Sequence, residues 1–153
     1  MIYSFHVFSR SGSILFSKNY AAVASLDPEE DESRSKLTFG MLFSLKEICA
    51  QLAPIDPNGV SETSEPPQKI AALECIRTGD KALHCHETLT GLRFVVYTDV
   101  TITNLQGNLC SIYNIWVETV TKSPLFISSA NNIGDTNFER KLDEYLEKLS
   151  AFR

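Results

Sequence analysis

Ala82-Leu83-His84-Cys85-His86-Glu87 and Leu92-Arg93-Phe94-Val95-Val96-Tyr97-Thr98, joined by Thr88-Leu89-Thr90-Gly91, decide how this chain is to be read. Both runs are short, rich in β-branched and aromatic residues, and bounded by turn chemistry, so they predict an antiparallel hairpin. A third strand is expected just before them at Lys69–Ile76, with Arg77-Thr78-Gly79-Asp80-Lys81 as its connector, which makes a meander. At the other end of the sequence Tyr3, Phe5 and Val7 alternate with Ser4 and His6. Ser9-Arg10-Ser11-Gly12 then supplies a turn before Ile14-Leu15-Phe16, predicting an N-terminal β-hairpin.

Helical spacing fills the rest. Lys36 to Ala53 predicts a helix stopped by Pro54, with Leu37, Met41, Leu45, Ile48, Cys49 and Leu52 as its core stripe. Leu105, Leu109, Ile112, Trp116 and Val120 predict a second helix, ended by Lys122-Ser123-Pro124. Thr136-Asn137-Phe138-Glu139 matches a capping box and opens a third, striped by Phe138, Leu142, Tyr145 and Leu149. The expected class is α/β in the α+β sense: a five-stranded antiparallel sheet with the first helix on one face and the last two on the other.

The first helix carries more apolar surface than one sheet can cover. Phe39, Phe43 and Ala50 fall at about 200 to 240° on a helical wheel, outside the stripe. Gly40, Ser44, Glu47 and Gln51 are left as the polar wedge. Either the two rings pack under another element of the same chain, or they belong to a surface completed by a second protein; the second reading is favoured, because large exposed apolar patches mark interfaces. On that reading, replacing both rings by Asp leaves the domain folded and blocks its incorporation.

At 153 residues and 17.1 kDa the chain fits one domain, residues 1–153, able to bury roughly 70% of its unfolded surface. Hydrophobic residues at 43% exclude a wholly disordered chain, and 14 basic against 19 acidic residues, a net charge of −5, argue against nucleic acid as a partner. Two segments are expected as loops, 20–35 and 55–68. The first holds Asp27-Pro28-Glu29-Glu30-Asp31-Glu32, read as solvated rather than as a docking site for a basic partner. No apolar run approaches the ~20 residues of a membrane-spanning helix, and neither terminus offers a leader or lipidation motif, so membrane contact is expected only through a partner. Cys49, Cys75, Cys85 and Cys110 lack a Cys-x-x-Cys pair and are expected as buried, reduced thiols of a cytosolic protein.

Catalytic signatures are sparse. Phosphate-binding glycine loops, a nucleophile elbow and a His-Glu-x-x-His helix are all missing. His84 and His86 share a strand face from which Cys85 points away, a poor metal site. Trp116 reads as core, and His6 has no nucleophile suggested beside it. No catalytic, cofactor or metal residue is assigned.

Several stretches resemble the sybindin-like small subunits of the TRAPP vesicle-tethering complex. They include Ile2-Tyr3-Ser4-Phe5 with Phe8 and Arg10, Phe39-Gly40-Met41-Leu42-Phe43-Ser44-Leu45 with Leu52-Ala53-Pro54, and Leu83-His84-Cys85-His86-Glu87-Thr88 through Thr90-Gly91. Phe94-Val95, Thr98-Asp99, Ile112-Tyr113, Val117, Pro124-Leu125 and Phe138 extend the likeness over nearly the whole chain, apart from the two loops. The short form without N-terminal interruption is similar to the shorter members. The resemblance implies a longin-like fold. It also implies pairing with the longer sybindin-like subunit, docking on the Bet-three type subunit, and a core that exchanges guanine nucleotide on an early secretory Rab GTPase between endoplasmic reticulum and Golgi. The chain itself is then noncatalytic and needs no cofactor. In such a sheet the second N-terminal strand and the Lys69–Ile76 strand lie outermost, and Ile70 and Leu73 mark the latter as the contact for a second longin-like subunit. Ser44, Glu47 and Gln51 are expected nearer the Rab. A longin-type adaptor or SNARE-like module without exchange activity is the competing class, although no SNARE heptad follows Arg153; a free-standing enzyme is a third.

Overall fold

Alternation along β1, Ile2–Phe8, sends Phe5 and Val7 to one side and His6 and Phe8 to the other. β2, Ile14–Asn19, returns antiparallel, with Val7 opposite Phe16 and Phe5 opposite Lys18. The computed structural model describes residues 1–20, 28–52, 73–123 and 136–149, and every structural statement concerns these. Gly12, at φ 91°, makes the turn between the two strands; a Cβ there would stand 2.8 Å from the Phe39 ring.

β3, Cys75–Thr78, β4, Lys81–Glu87, and β5, Arg93–Asp99, form the meander. β5 pairs with β1 along its length, giving one antiparallel sheet ordered β2-β1-β5-β4-β3. The two strands expected outermost are the two edges. The third strand is displaced from its expected place: pairing runs from Cys75 with His84 to Thr78 with Lys81, so the turn is Gly79-Asp80 and not a five-residue connector. Gly79 at φ 54° permits that tight reversal. Ile70 and the rest of 69–72 lie outside the described residues, as does the 55–68 loop.

α1, Pro28–Leu52, is longer than expected. The acidic run taken for a loop is instead its first turns: Pro28 has the fixed φ suited to a helix start, and Glu29, Glu30 and Asp31 sit where the helix dipole favours negative charge. Residues 21–27 fall outside the described set. α2, Gln106–Trp116, passes into a π-helical turn at Val117–Thr121. Leu105, Leu109, Ile112, Trp116 and Val120 are all buried along it, as their spacing predicts. α3, Thr136–Lys148, buries Phe138, Leu142 and Leu146; Leu146 takes a core place beside a half-buried Tyr145.

Two apolar clusters divide the sheet. Phe5, Val7, Phe94 and Val96 join Leu109, Ile112, Trp116, Phe138 and Leu142 of α2 and α3. Phe8, Leu83, Cys85 and Val95 join Leu42 and Phe39 of α1. Because successive strand residues point to opposite faces, the clusters lie on opposite sides of the sheet. The larger is built around aromatic edges, with Trp116 and Phe138 centred 4.9 Å apart and Phe16 and Phe138 at 5.0 Å. Cys85 is buried, Cys49 and Cys75 are half-buried, and all four thiols are free. Cys110 departs from expectation by being exposed, since it follows Leu109 by one step and so turns about 100° from the buried stripe.

Candidate protein interface

The inward face of α1 is Ser35, Thr38 and Leu42, with Phe39, Leu45 and Cys49 half-buried at its margins. Most of the expected stripe is therefore turned away from the sheet: Leu37 is 73% and Leu52 77% exposed, and Met41 and Ile48 are exposed with them, while Leu45 and Cys49 stay half-buried. Polar demands under the helix explain the rotation. Thr38 Oγ1 lies 2.9 Å from the Tyr97 hydroxyl and donates to the Arg34 carbonyl. Asp31 accepts from Ser17 Oγ at 3.3 Å, and Ser17 in turn lies 3.1 Å from Nδ1 of buried His6. An apolar stripe in their place would take the Thr38 partner from the Tyr97 hydroxyl and the Asp31 acceptor from Ser17. Burial holds His6 down to a pKa of about 4, against a smaller upward pull from Asp31.

The anticipated site residues separate. Phe39 joins the chain's own core, its ring centred 5.8 Å from that of Phe8 and closed over Gly12. Phe43, one turn on, is 57% exposed. Ala50, Ser44, Glu47 and Gln51 are all exposed. On the β3 side Leu73 is half-buried against the α1-side cluster. α1 thus carries three surfaces: a small polar inward face, an outward row of Leu37, Met41, Ile48 and Leu52, and Phe43 on the opposite flank. Most of the stripe expected against the sheet faces outward and Phe39 packs inward, whereas Phe43 is exposed as expected; apolar spacing alone does not locate an inward face built on Ser35, Thr38 and Leu42.

One residue of this region was not singled out at all. Arg93 is buried beneath α1 with its guanidinium over the rings of Phe39 and Phe43. The signal for it was present, a lone cation opening the apolar run Arg93-Phe94-Val95-Val96. Beside it Lys46 of α1 bridges to Glu87 of β4 at 2.7 Å.

Elsewhere the polar groups brace the fold. Lys18 of β2 donates to Glu139 at 2.6 Å and Asp143 at 2.7 Å, tying an edge strand to α3. Gln106 Nε2 donates to the carbonyls of Glu74 and Cys85, fastening the start of α2 to the β3–β4 pair. His84 is buried with Nε2 3.2 Å from Thr98 Oγ1, and His86 packs near the Tyr113 ring. Burial pushes the Cys85 thiol up to about 12, which keeps it protonated. Among the described residues no group of three or more His, Cys, Asp or Glu side chains could hold a metal ion, and no helix is long and apolar enough to cross a membrane.

Fold and surface together define a small α+β domain of longin-like architecture with an uncovered helix. Residues 2–149 match the family described as the Sybindin-like family, and the chain belongs to it. It is similar to Trafficking protein particle complex subunit 1 of Dictyostelium discoideum, 31% identical over 157 residues and covering 99% of both chains. The subunit of the same name from Homo sapiens is 28% identical over 153 residues, covering 99% of this chain and 95% of its own length. A shorter likeness, 32% over 95 residues, reaches Trafficking protein particle complex subunit 4 of Homo sapiens and covers 61% of this chain and 38% of that one.

Proposed function

We propose that this chain is a noncatalytic core subunit of a trafficking protein particle complex. In it the chain pairs with a longer sybindin-like subunit and docks on a Bet-three type subunit. The assembled core exchanges guanine nucleotide on an early secretory Rab GTPase in transport between endoplasmic reticulum and Golgi. It works on the cytoplasmic side and meets the membrane only through the assembly. The observation that carries this reading is the outward row of α1, where Leu37, Met41, Ile48 and Leu52 are exposed on a domain whose full-length relatives are named as subunits of such a complex. Apolar side chains in a row on one helix favour burial against a second protein.

Exchange itself forms no covalent intermediate. A factor that binds the nucleotide-free GTPase more tightly weakens nucleotide binding by the same factor. What that takes is a broad, preorganised surface, commonly about 800 Å² from each partner. The outward row, the β3 edge and the polar wedge Ser44, Glu47 and Gln51 offer such a surface in parts, the first two for sister subunits and the wedge for the GTPase. GDP release from the Rab tests the division of labour. The purified chain alone leaves the rate at its spontaneous value and the assembled core raises it, while the triple change of Ser44, Glu47 and Gln51 to Ala lowers exchange more than it lowers assembly. Release at the full rate from the single chain contradicts the scaffold role.

A further inference from the structure

Arg93 opens β5 opposite Glu87 of β4 and Phe8 of β1. It is only 8% exposed. Its guanidinium carbon lies 4.8 Å from the centre of the Phe39 ring and 5.9 Å from that of Phe43, so the two rings fix its position from the helix side. Nη1 is fully enclosed and has no hydrogen-bond partner. The nearest opposite charge is Glu87, whose Oε1 stands 3.7 Å from Nη2, too far for a hydrogen bond. The other oxygen of Glu87 is already held by Lys46 at 2.7 Å. A guanidinium presents five donors in a fork that matches a carboxylate, and a buried charge left without that match is costly. Here the guanidinium is held between two rings and its Nη1 is left unfilled.

Its surroundings favour an acid. Arg10 lies over the β4–β5 turn, where a Cβ on Gly91 would come within 2.9 Å of its Cγ. Lys46 and Arg93 therefore share one carboxylate, Glu87, with Arg10 over the neighbouring turn, in a chain of net charge −5. Two apolar side chains stand at the same end, Phe43 and the fully exposed Leu89 at the tip of that turn. An acidic bilayer fits poorly, because α1 also begins with Glu29, Glu30, Asp31 and Glu32 and the whole chain is anionic.

We propose that Arg93 anchors a docking site for an aspartate or glutamate side chain of a partner protein, with an apolar neighbour of that acid laid against Phe43 and Leu89. The site rests on the reading of α1 as partner-facing and adds what arrives there. Rotation of the Phe43 ring uncovers Nη1; the incoming carboxylate takes Nη1 and Nη2, and Lys46 closes on it from the side. Arg93 then completes its hydrogen bonds only in the complex.

Zero-length carbodiimide coupling tests this, since it joins a carboxylate to an amine already in contact with it. The native assembly, isolated through a tag on this chain, is coupled and digested for mass spectrometry. An Asp or Glu of a partner chain linked to Lys46 is expected, beside the internal link to Glu87. R93M removes the fork and keeps the aliphatic stem; it is expected to lower that link and weaken partner retention at least about tenfold, with R93K recovering only part, as at arginine anchors generally. Thermal melting of R93M no lower than that of the unaltered chain separates lost docking from lost folding. Partners that co-purify with no link to Lys46 and with unchanged retention of R93M overturn the acid site alone. A chain that purifies without partners overturns the partner-facing reading together with it. Loss in R93M of sedimentation with phosphatidylserine vesicles, with protein partners retained, overturns it in favour of a headgroup.

Discussion

His6 shows how a residue of no catalytic promise shapes the pH response of the whole chain. Its ring sits between Ser4 and Ser17, at 3.1 Å from each hydroxyl, and is held neutral by burial. With its folded pKa near 4 and an unfolded value near 6.5, the unfolded chain takes the proton first. Its stabilising effect is therefore complete above about pH 6.5 and is lost as pH falls towards 4. At pH 5 the loss is about 2 kcal/mol. Urea unfolding at pH 7.5 and pH 5 is expected to show that difference, and H6Q to reduce it; His84, also lowered by burial, acts in the same direction and leaves part of it in place. An equal drop in H6Q assigns the effect elsewhere. Gly12 is a second sensitive position. G12A places a side chain at φ 91° and against the Phe39 ring, so melting is expected to report a loss above the roughly 1–2 kcal/mol of a left-handed alanine, and a neutral result would mean that the ring moves freely. Neither residue could be ranked from sequence, because Ser17, Asp31 and Phe39 reach them from other elements.

At the scale of elements β1, β2, β4, β5, α2 and the start of α3 were legible and β3 was displaced, while of α1 the helix was legible but neither its start nor its inward face. The turn glycines Gly12, Gly79 and Gly91 and the alternation of β1 mark a hairpin and a meander, and both edges of the sheet follow from the order of the strands. The stripe from Leu105 to Val120 has a single apolar face, so its periodicity has one solution. α1 has two. Its inward face is chosen by the hydrogen bonds that Thr38 shares with Tyr97 and that Asp31 accepts from Ser17, which apolar spacing does not register. Its start was hidden by an acidic run that reads as solvated loop and in fact suits a helix N-terminus. Phe39 and Phe43, expected to act together, should now part: F39A costs about 2 kcal/mol or more in chemical unfolding through lost packing on Phe8 and Gly12, whereas F43A leaves stability within about 0.5 kcal/mol and weakens partner binding. Equal destabilisation by the two changes would place both rings in the core.

For the molecule as a whole, the reading is of a domain whose sheet and rear helices are finished and whose front helix is not. α2 and α3 enclose their cluster completely, with Trp116, Phe138 and Leu142 all nearly inaccessible. α1 meets the sheet through few residues and turns Leu37, Met41, Ile48 and Leu52 outward, a pattern that costs solubility unless another protein covers it. That this chain is a subunit and not a free-standing domain is the central claim, and size-exclusion chromatography of the tagged protein from its own cells tests it most directly. The unaltered chain is expected to elute in an assembly far above 17.1 kDa that contains a second sybindin-like subunit, and the double variant M41D with I48D to elute as a folded monomer. An unaltered chain running as a lone monomer, or a double variant that keeps the full set of partners, would contradict it.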